Sequence, residues 1–416
     1  MRRAVVTVES IAAGGDGVAR ADGLVVFVPR TAPGDRVEVS LVASGRFARG
    51  SVVRLLESAP GRVQPSCVHY ERDRCGGCQL QHLDYESQLS AKGTIIRDAL
   101  QRIGHRTLPV PEVRRSPRQW RYRRKLTLAL RRRRSPSDGG MVAGLHPYDA
   151  PERVFPLEEC PITADPVLEV WHAILASAEL LPDAPTLRAA VRVDPDGDAS
   201  LVVEGGRWDS AASKSEALAA RIPALASIWH APEGELPRPL QLRAGSAALG
   251  ASFAQVNEEV AADLLAHVVD RAMAYAPRSA VDGYAGVGDT AFALDRRGVR
   301  VTAIEWDARA AGAAGARLGP ASSAVAGAVE ECLTRALPAD AIILNPPRAG
   351  VDQRVTEALE AAPSRPRAVL YVSCNPATLA RDVARLPSYR IASLAAFDMF
   401  PQTAHVETVC ELVPEG

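Results

Sequence analysis

Two side chains near the end of the chain could carry out a reaction together. Cys374 stands in the sequence YVSCNP (residues 371–376), and Glu407 closes the sequence HVE (residues 405–407) some thirty residues later. A thiolate can add to an electron-poor ring carbon, and a carboxylate can then remove a proton from the adjacent carbon. Methylation of an unactivated pyrimidine carbon needs both groups, so the pair predicts that chemistry.

The local sequence also predicts how the thiol is held. Asn375 is expected to cap a helix that Pro376 begins, which places Cys374 just before a helix N-terminus. The anionic form of a thiol is favoured at that position. We expect His405 and Glu407 to share one face of a later strand.

These side chains require a sheet that brings them to one edge. From about residue 252 onward, strands alternate with Ala-rich helices, which predicts an α/β doubly wound, Rossmann-like domain. Four predicted strands end in polar or reactive residues, at 280–282, 300–304, 342–344 and 369–373. Because parallel strands present their carboxyl ends at the same edge, that edge is the predicted active site.

A cofactor pocket is predicted at the first two of these strand ends. The loop GYAGVGD (residues 283–289) carries small residues, but it lacks the third glycine of the dinucleotide fingerprint. Glu305 follows the second strand, where a carboxylate can accept both ribose hydroxyls of an adenosine. The combination suits S-adenosylmethionine better than NAD.

Four cysteines precede this region: Cys67, Cys75, Cys78 and Cys160. Four thiolates can hold either a structural zinc ion or an iron-sulfur cluster, and the proline after Cys160 favours iron. We expect a 4Fe-4S cluster that shapes the middle of the chain and does not exchange electrons, with zinc as the alternative. Cys332 and Cys410 are assigned to packing.

The sequence of the N-terminal part predicts a small all-β domain. β-rich segments at 5–8, 24–28, 36–41 and 50–55 predict a five-stranded barrel of OB type over residues 1–60. The patterns GVAR (17–20), FVP (27–29) and PGD (33–35), with Gly23, resemble a TRAM domain, an RNA-binding barrel attached to RNA-modifying enzymes.

The remaining chain is divided into two further parts. Residues 61–250 are expected to form a mixed α+β middle domain that includes the cysteine segment, a helix at 85–103 and loops at 134–140 and 194–198. Residues 251–416 are expected to form the catalytic domain. A chain of 416 residues is long enough for two or three domains.

Composition narrows the class of protein. The formal net charge is zero, yet residues 114–134 contain eleven basic side chains and no acidic one, which is a candidate RNA contact. No apolar stretch reaches the roughly 18 residues that a membrane span needs. We therefore expect a cytoplasmic protein without a membrane partner, and a monomer by default.

Four motifs occur in order: CGGC (75–78), NPPRAG (345–350), SCNPATL (373–379) and DMFPQTAHVE (398–407). With them the chain resembles the iron-sulfur RNA 5-methyluridine (uracil-C5) methyltransferases. The resemblance implies that ribosomal or transfer RNA is the substrate and that the four cysteines hold a cluster. It also implies that Cys374 is the nucleophile, that Glu407 is the base, and that four residues contact S-adenosylmethionine, namely Gln255 in FAQVN (253–257), Tyr284, Glu305 and Asn345.

Two departures from the family pattern stand out. Asn345 occupies a position where the family usually has Asp, so the charge of that contact is lost. The spacing from Cys67 to Cys75 is longer than is common. Neither change removes a group that makes or breaks a bond.

The implied reaction follows from the weak nucleophilicity of uracil C5. A thiolate that adds to C6 converts the ring to an enolate whose C5 can attack a methyl sulfonium, and a base then removes the C5 proton so that the enzyme is released. The target uridine must be flipped out of stacked RNA or presented from a loop.

Three other functions remain open on the sequence. An amino-group methyltransferase also uses an Asn-Pro-Pro motif, but it expects an aromatic residue where Arg348 stands. An RNA cytosine-C5 methyltransferase tends to use a second cysteine, which is not evident beside residues 345–347. The third is a catalytically silent RNA-binding protein of the same fold.

Overall fold

The computed structural model describes residues 2–132, 141–243 and 255–415. Its first sheet has six strands in the order β1-β5-β6-β4-β3-β2. Alternate side chains such as Val26, Val28, Val37 and Val39 face one apolar core, and the predicted OB-type barrel is confirmed. One more strand is present than expected, because short segments between residues 10 and 21 also pair. The strands are β1 (Arg2–Thr7), β2 (Ser10–Ile11), β3 (Gly17–Ala21), β4 (Leu24–Val28), β5 (Arg36–Ser44) and β6 (Phe47–Glu57).

A connecting segment follows, with helices α1 (Val68–Glu71) and α2 (Tyr85–Arg102) and the short strand β7 (Val113–Arg114). The predicted helix at 85–103 is confirmed. Asp84 begins it, because its side chain accepts a hydrogen bond from the Ser87 backbone N–H at 2.7 Å.

The second sheet has seven strands in the order β10-β9-β8-β11-β12-β13-β14. Helices α3 and α4 cover one of its faces, where Trp171 and Leu218 pack against Leu128 and Val191. The predicted loop at 194–198 is a turn between β11 and β12, while residues 134–140 lie outside the described residues. The elements are β8 (Lys125–Arg132), β9 (Met141–Leu145), β10 (Phe155–Pro156), α3 (Asp165–Leu175), β11 (Thr186–Val193), β12 (Ala199–Glu204), α4 (Ala211–Arg221), β13 (Leu225–Ala231) and β14 (Arg238–Leu242).

The third sheet has eight strands in the order β17-β16-β15-β18-β19-β21-β20-β7. The strands from β17 to β19 run parallel, and β21 enters antiparallel to β19. The elements are α5 (Glu258–Met273), β15 (Ser279–Gly283), α6 (Asp289–Asp295), β16 (Arg300–Glu305), α7 (Ala308–Arg317), β17 (Ser323–Ala326), α8 (Val329–Ala336), β18 (Ala341–Leu344), α9 (Gln353–Glu360), β19 (Ala368–Ser373), α10 (Pro376–Ala384), β20 (Tyr389–Phe397) and β21 (Glu407–Pro414).

This third sheet is buried on both faces. Along β18, Ile342 and Leu344 belong to a core shared with α8, α9 and α10, while Ile343 belongs to a core shared with α5 and α6. Side chains of a strand alternate between faces, so two cores on one sheet are the arrangement of a doubly wound fold. The predicted Rossmann-like domain is confirmed.

The division into three parts at residues 60 and 250 stays a prediction. Helix α2 and strand β7 fall in the predicted middle part, yet β7 pairs with β20 and α2 packs against α10 and β20 of the third sheet. Among the described helices, none is both long enough and apolar enough to cross a bilayer.

A buried ion pair joins α2 to the chain between β20 and β21. Lys92 and Asp398 are both fully buried, and the Lys92 ammonium donates to a carboxylate oxygen of Asp398 and to the Phe400 carbonyl, the latter at 3.0 Å. Burial lowers the pKa of Lys92, and the Asp398 carboxylate opposes that shift. The pair therefore fixes the start of the segment that leads to Glu407.

Loss of this cation should destabilise the protein strongly. Lys92→Met leaves the Asp398 carboxylate buried without a counter-charge, which costs roughly 3 to 5 kcal/mol of unfolding free energy. Urea unfolding followed by circular dichroism measures the change. Lys92→Met/Asp398→Leu should recover most of the loss, since no lone charge then remains buried.

Arg102→Met is the matched control on the same helix, because Arg102 is exposed and its ion pair with Asp98 is a surface contact at 3.4 Å. A Lys92→Met variant no less stable than Arg102→Met would contradict the structural role of the buried pair.

Candidate active site

Cys374 lies between β19 and α10, at the carboxyl edge of the third sheet. The Asn375 side chain accepts a hydrogen bond from the Ala377 backbone N–H at 3.1 Å, and Pro376 is the first residue of α10. The predicted cap is therefore present. Ser373 accepts a hydrogen bond from the Asn375 N–H at 3.1 Å, which holds the turn that carries the thiol.

Glu407 faces Cys374 across the sheet. Ser373 of β19 and Thr408 of β21 are register partners, so the next pair outward joins Cys374 to Glu407. Residues directly opposite in an antiparallel ladder project to the same face, about 5 Å apart at Cβ. The Glu407 side chain is only 3% exposed. The structure thus brings together the two residues that the sequence predicted as a reactive pair.

Burial sets the ionisation of this pair. It raises the pKa of Glu407 to about 8, against the pull of the Arg348 guanidinium. Burial, and then the nearby Glu407, also raise the pKa of the Cys374 thiol. The expectation that the helix N-terminus would favour the thiolate is not met, because desolvation of a half-buried sulfur outweighs it.

Arg348 is a site residue that the sequence analysis missed. Its guanidinium acts on the Cys374 thiol both as a charge and as a hydrogen-bond donor, and in both ways it lowers the pKa of the thiol. Its backbone carbonyl accepts hydrogen bonds from the Asn375 side chain at 3.2 Å and from Thr378 at 3.3 Å. The cap residue therefore also positions the Arg348 loop. The sequence signal that could have identified Arg348 is a cationic residue shortly after the end of β18, the strand next to β19.

His405 does not share a strand with Glu407 as predicted, because β21 begins at Glu407. Its ring packs edge-on against Phe400, with the two centroids 6.0 Å apart. Burial, together with the cations Arg348, Lys92 and Arg123, lowers the pKa of His405 to about 4. The ring is therefore neutral at physiological pH.

Three predicted cofactor residues are neighbours. Gly283 of β15 pairs with Ile304 of β16 and with Leu344 of β18. The residues that follow, Tyr284, Glu305 and Asn345, therefore stand side by side at the sheet edge. Asn345 is exposed, and its backbone N–H donates to the Gly283 carbonyl at 3.2 Å.

Glu305 shapes the glycine loop around itself. Its two carboxylate oxygens accept hydrogen bonds from the Gly286 N–H at 2.8 Å and from the Asp307 N–H at 2.9 Å. Only glycine fits at position 288, because its φ is +81° and a Cβ there would lie 2.7 Å from the Cβ of Ala314. A Cβ built on Gly286 would have no neighbouring heavy atom within 4 Å, so the space beside this residue is open. An open space with carboxylate and amide groups around it fits an adenosine ligand.

Two further residues border this region. Trp306, which the sequence analysis did not single out, follows Glu305 and is 71% exposed. Gln255 is half-buried and lies two residues before Asn257, the cap of α5. Phe253 and Ala254 of the same motif lie outside the described residues.

The segment between β20 and β21, residues 398–406, is tied to earlier parts of the chain. Gln88 of α2 exchanges hydrogen bonds with Gln402, at 3.0 Å between the side-chain amides and at 2.9 Å from the Gln402 N–H. The Leu80 N–H donates to the Gln402 carbonyl at 3.0 Å, and the buried Tyr122 hydroxyl donates to the Pro401 carbonyl at 3.0 Å. We call residues 398–406 the catalytic segment.

The four predicted metal ligands also come together. Cys67, Cys75, Cys78 and Cys160 line one cavity of about 130 Å³, next to apolar side chains such as Leu126 and Ile162. Burial, and then the thiols of Cys160 and Cys67, raise the pKa of Cys75 to about 11.

The shared cavity fits a ligand that binds sulfur. Among the described residues, however, no three His, Cys, Asp or Glu side chains are arranged so that they could hold a metal ion. The 4Fe-4S cluster therefore stays a prediction.

Comparisons with known proteins agree with this geometry. Residues 2–53 match the TRAM domain, and residues 333–413 match the tRNA (uracil-5-)-methyltransferase family. An uncharacterized RNA methyltransferase of Gloeobacter violaceus is 34% identical over 98% of this chain and 95% of its own length. The 23S rRNA (uracil(1939)-C(5))-methyltransferase RlmD of Chromohalobacter salexigens is 34% identical over 97% of this chain and 88% of its own.

A solved structure shares the whole fold. The Pyrococcus abyssi tRNA (uracil-54, C5)-methyltransferase, in complex with S-adenosyl-L-homocysteine, superimposes with a TM-score of 0.71 at 24% identity, covering 98% of this chain and 99% of that one. Family match, relatives and site geometry point to one conclusion. The chain belongs to the S-adenosylmethionine-dependent RNA (uracil-5-)-methyltransferases that carry an N-terminal TRAM domain.

Proposed function

We propose that this enzyme methylates C5 of one uridine in RNA through covalent catalysis, with Cys374 as the nucleophile and Glu407 as the base. The observation that carries the proposal is the pairing of β19 with β21, which sets the thiol opposite a buried carboxyl. An amino-group methyltransferase would leave both side chains without a task. Arg348 also stands where such an enzyme would stack an aromatic ring on the base.

The first step needs the thiolate. Arg348 offsets part of the burial that raises the pKa of Cys374, and its guanidinium stabilises the thiolate once the proton has left. The sulfur then bonds to C6 of the uracil ring, and the C5–C6 double bond becomes an enolate. S-adenosylmethionine, when bound, supplies the methyl group that C5 takes up.

The second step needs a base on the same face. The C5 proton passes to a carboxylate oxygen of Glu407, the electrons of that C–H bond restore the C5–C6 double bond, and the C6–S bond breaks to return the thiolate. The raised pKa of Glu407 makes its carboxylate a stronger proton acceptor than an exposed glutamate. His405, near the end of the catalytic segment, is neutral, so it adds no second charge beside Glu407.

The cofactor residues are assigned by position. Glu305 would accept the ribose hydroxyls, Tyr284 and Asn345 would contact the remaining cofactor from the neighbouring strand ends, and Trp306 would offer a flat apolar surface for the adenine ring. Gln255 keeps its predicted contact with S-adenosylmethionine as part of this proposal. The amide of Asn345 retains an acceptor there without a charge.

Ribosomal RNA is the substrate that we favour. The relative whose printed name assigns a substrate at 34% identity is a 23S rRNA enzyme, whereas the likeness to the tRNA enzyme at 24% identity shows the fold alone. The cytoplasmic location and the monomeric state stay predictions.

We also propose that Cys67, Cys75, Cys78 and Cys160 hold a 4Fe-4S cluster with a positioning role. Cys78 is two residues from Leu80, whose N–H is bonded to the catalytic segment at Gln402. Thiolate ligation would fix the chain on which that bond depends, and no electron transfer is required of the cluster.

The nucleophile and the base are separable by substitution. Cys374→Ala should abolish release of tritium from C5-labelled uridine in RNA by removing the only proposed nucleophile, while S-adenosylmethionine still binds. Glu407→Gln should still form the adduct but release it slowly, so a protein–RNA complex that survives denaturing electrophoresis accumulates.

Cys332→Ala is the control, because Cys332 is a buried packing thiol on α8, away from the proposed reaction. Full tritium release by Cys374→Ala, or an adduct in the Cys374→Ala/Glu407→Gln variant, would refute the assignment. Wild-type protein that releases no tritium from any RNA, with cofactor bound, would instead favour the amino-group or silent reading.

The pH profile should reflect the base. Since Glu407 acts as a carboxylate with a pKa raised to about 8, and Cys374 acts as a thiolate whose pKa is also raised, kcat/KM for RNA should rise with pH through about 8 and continue to rise above it. Arg348→Gln should move the rise to higher pH, because the cation lowers the pKa of both Cys374 and Glu407. Initial rates of tritium release at constant ionic strength measure both profiles. A flat profile across pH values of about 6 to 9 would count against Glu407 as the base.

Cluster occupancy is measured directly. Anaerobically purified protein should contain about four irons per chain and absorb visible light. Cys160→Ser should lose iron and raise the susceptibility of the catalytic segment to hydrogen exchange. One zinc per chain without visible absorbance would exclude the iron version.

A further inference from the structure

The basic run at 114–134 is not the bare cationic patch that its sequence suggests. Arg133 and Arg134 lie outside the described residues. Six of the other arginines form ion pairs with carboxylates, which neutralises much of the run: Arg114 with Asp263, Arg115 with Glu86, Arg118 with Glu259, Arg121 with Glu159, Arg124 with Glu258 and Arg132 with Asp183.

Arg123 and Lys125 of the run lack an ion pair among the described residues, and Lys125 meets a further cation, Arg192, which lies outside the run. Lys125 of β8 and Arg192 of β11 are register partners, so two like charges stand directly opposite each other. Within the part of the chain that the structure describes, neither forms an ion pair, and neither does Arg123. Like charges in directly opposite positions destabilise a sheet, so an anion that binds between them would be stabilising.

These cations lie on the face of the second sheet that its helices leave uncovered. Along β11, Val191 and Val193 point into the core beneath α3 and α4, so Arg192 points to the opposite face. Lys125 is likewise opposite to Leu126. Burial and then the charges of Arg188, Arg192 and Arg123 lower the pKa of Lys125, while the Glu204 carboxylate opposes that shift.

The same face contains a cavity of about 700 Å³. Thr127 and Ala129 of β8 line it, and charged side chains of both signs border it, namely Arg131 and Arg188 together with Glu204, Glu233 and Glu235. Of the two arginines, Arg188 is paired with Glu204. The cavity is open, and it is large enough to take part of an extended polynucleotide chain.

A line of cations connects this face with the reactive pair. The Arg123 guanidinium donates to the Lys125 carbonyl at 2.8 Å, and its charge acts on His405. The charge of Arg348 acts on His405 as well and also on Cys374. We call Arg348, Arg123, Lys125 and Arg192 the cationic strip. In the described residues, none of the four is engaged in an ion pair.

We propose that the cationic strip binds the phosphodiester backbone of the RNA next to the target uridine, so that the uncovered face of the second sheet is an RNA contact separate from the TRAM domain. The inference rests on the proposed function, since the strip begins at the proposed nucleophile. Guanidinium and ammonium groups are the protein groups that bind phosphate oxygens, and each phosphate contact releases counterions.

The test measures how binding depends on salt. Arg192→Gln should reduce the slope of log K against log salt for an RNA stem-loop substrate by about 0.7 to 0.9, the value of one lost phosphate contact. It should also raise KM for that RNA by roughly tenfold, with a smaller effect on kcat. Fluorescence anisotropy and tritium release supply the two readouts.

Arg238→Gln is the matched control. Arg238 is exposed on β14 of the same sheet, and its register partner His230 packs against Trp208 of the core side, so the variant removes one charge from the other face. Arg192→Lys keeps the charge and should retain the salt slope, which separates a lost phosphate contact from a folding defect.

The outcomes also separate this inference from the proposed function. An Arg192→Gln slope equal to wild type and to Arg238→Gln overturns the cationic strip, even where Cys374-dependent tritium release stands. A reduced slope without tritium release from any RNA keeps the RNA contact and overturns the proposed reaction. Equal slope losses in Arg192→Gln and Arg238→Gln would show unspecific attraction, which also overturns the strip.

Discussion

The antiparallel pairing of β21 with β19 is the contact on which the active site depends. Every other strand that borders the cofactor edge runs parallel, and parallel strands bring only their carboxyl ends together. Because β21 runs in the opposite direction, its first residue, Glu407, lies beside the carboxyl end of β19. A register slip of one residue would turn Glu407 to the other face of the sheet, away from Cys374.

Buried polar contacts of the catalytic segment stabilise the register between β21 and β19. Asp398 is anchored by Lys92, and Gln402 is anchored by Gln88 and Leu80. These anchors belong to α2 and the cysteine segment, far earlier in the sequence. The connecting segment therefore positions a catalytic residue that it does not itself contain. The cysteines that line the cavity belong in part to this segment, since Cys78 is two residues from Leu80.

Two glutamates on β21 show how environment decides chemistry. Glu411 lies four residues after Glu407, and both side chains are almost completely buried. Burial would raise the pKa of Glu411, but hydrogen bonds from Arg271, Ser393 and Tyr275 lower it to about 2. Among the described residues no side chain donates a hydrogen bond to Glu407, so burial prevails over the charge of Arg348 and the pKa is about 8. A structural anion and a proton acceptor thus differ only in their neighbours.

The same distinction explains what could be predicted from the sequence. Strand ends, glycine loop and cap were predictable because each depends on residues close together in the chain, as with Asn375 and Pro376. The raised pKa of Cys374 and the part played by Arg348 were not, since both depend on burial and on the approach of two loops. His405 was misplaced because the start of β21 is set by its partners β19 and β20 and leaves no local signal. The ion pairs of residues 114–134 were unpredictable for the same reason, as their carboxylate partners come from α2, α5, the segment after β10 and the loop before β11.

A net charge of zero is consequently no argument against a polyanionic substrate. In this chain arginines are used first to pair with carboxylates, and that use makes the charges cancel in the total. In our proposal, what attracts RNA is the small remainder of cations that form no ion pair among the described residues, since interactions beyond about 8 to 10 Å are screened at physiological salt. Arg348, Arg123, Lys125 and Arg192 are such a remainder, and their contacts connect the open sheet face with the surroundings of the thiol. Local geometry, and not composition, therefore determines where a neutral protein can hold a phosphate backbone.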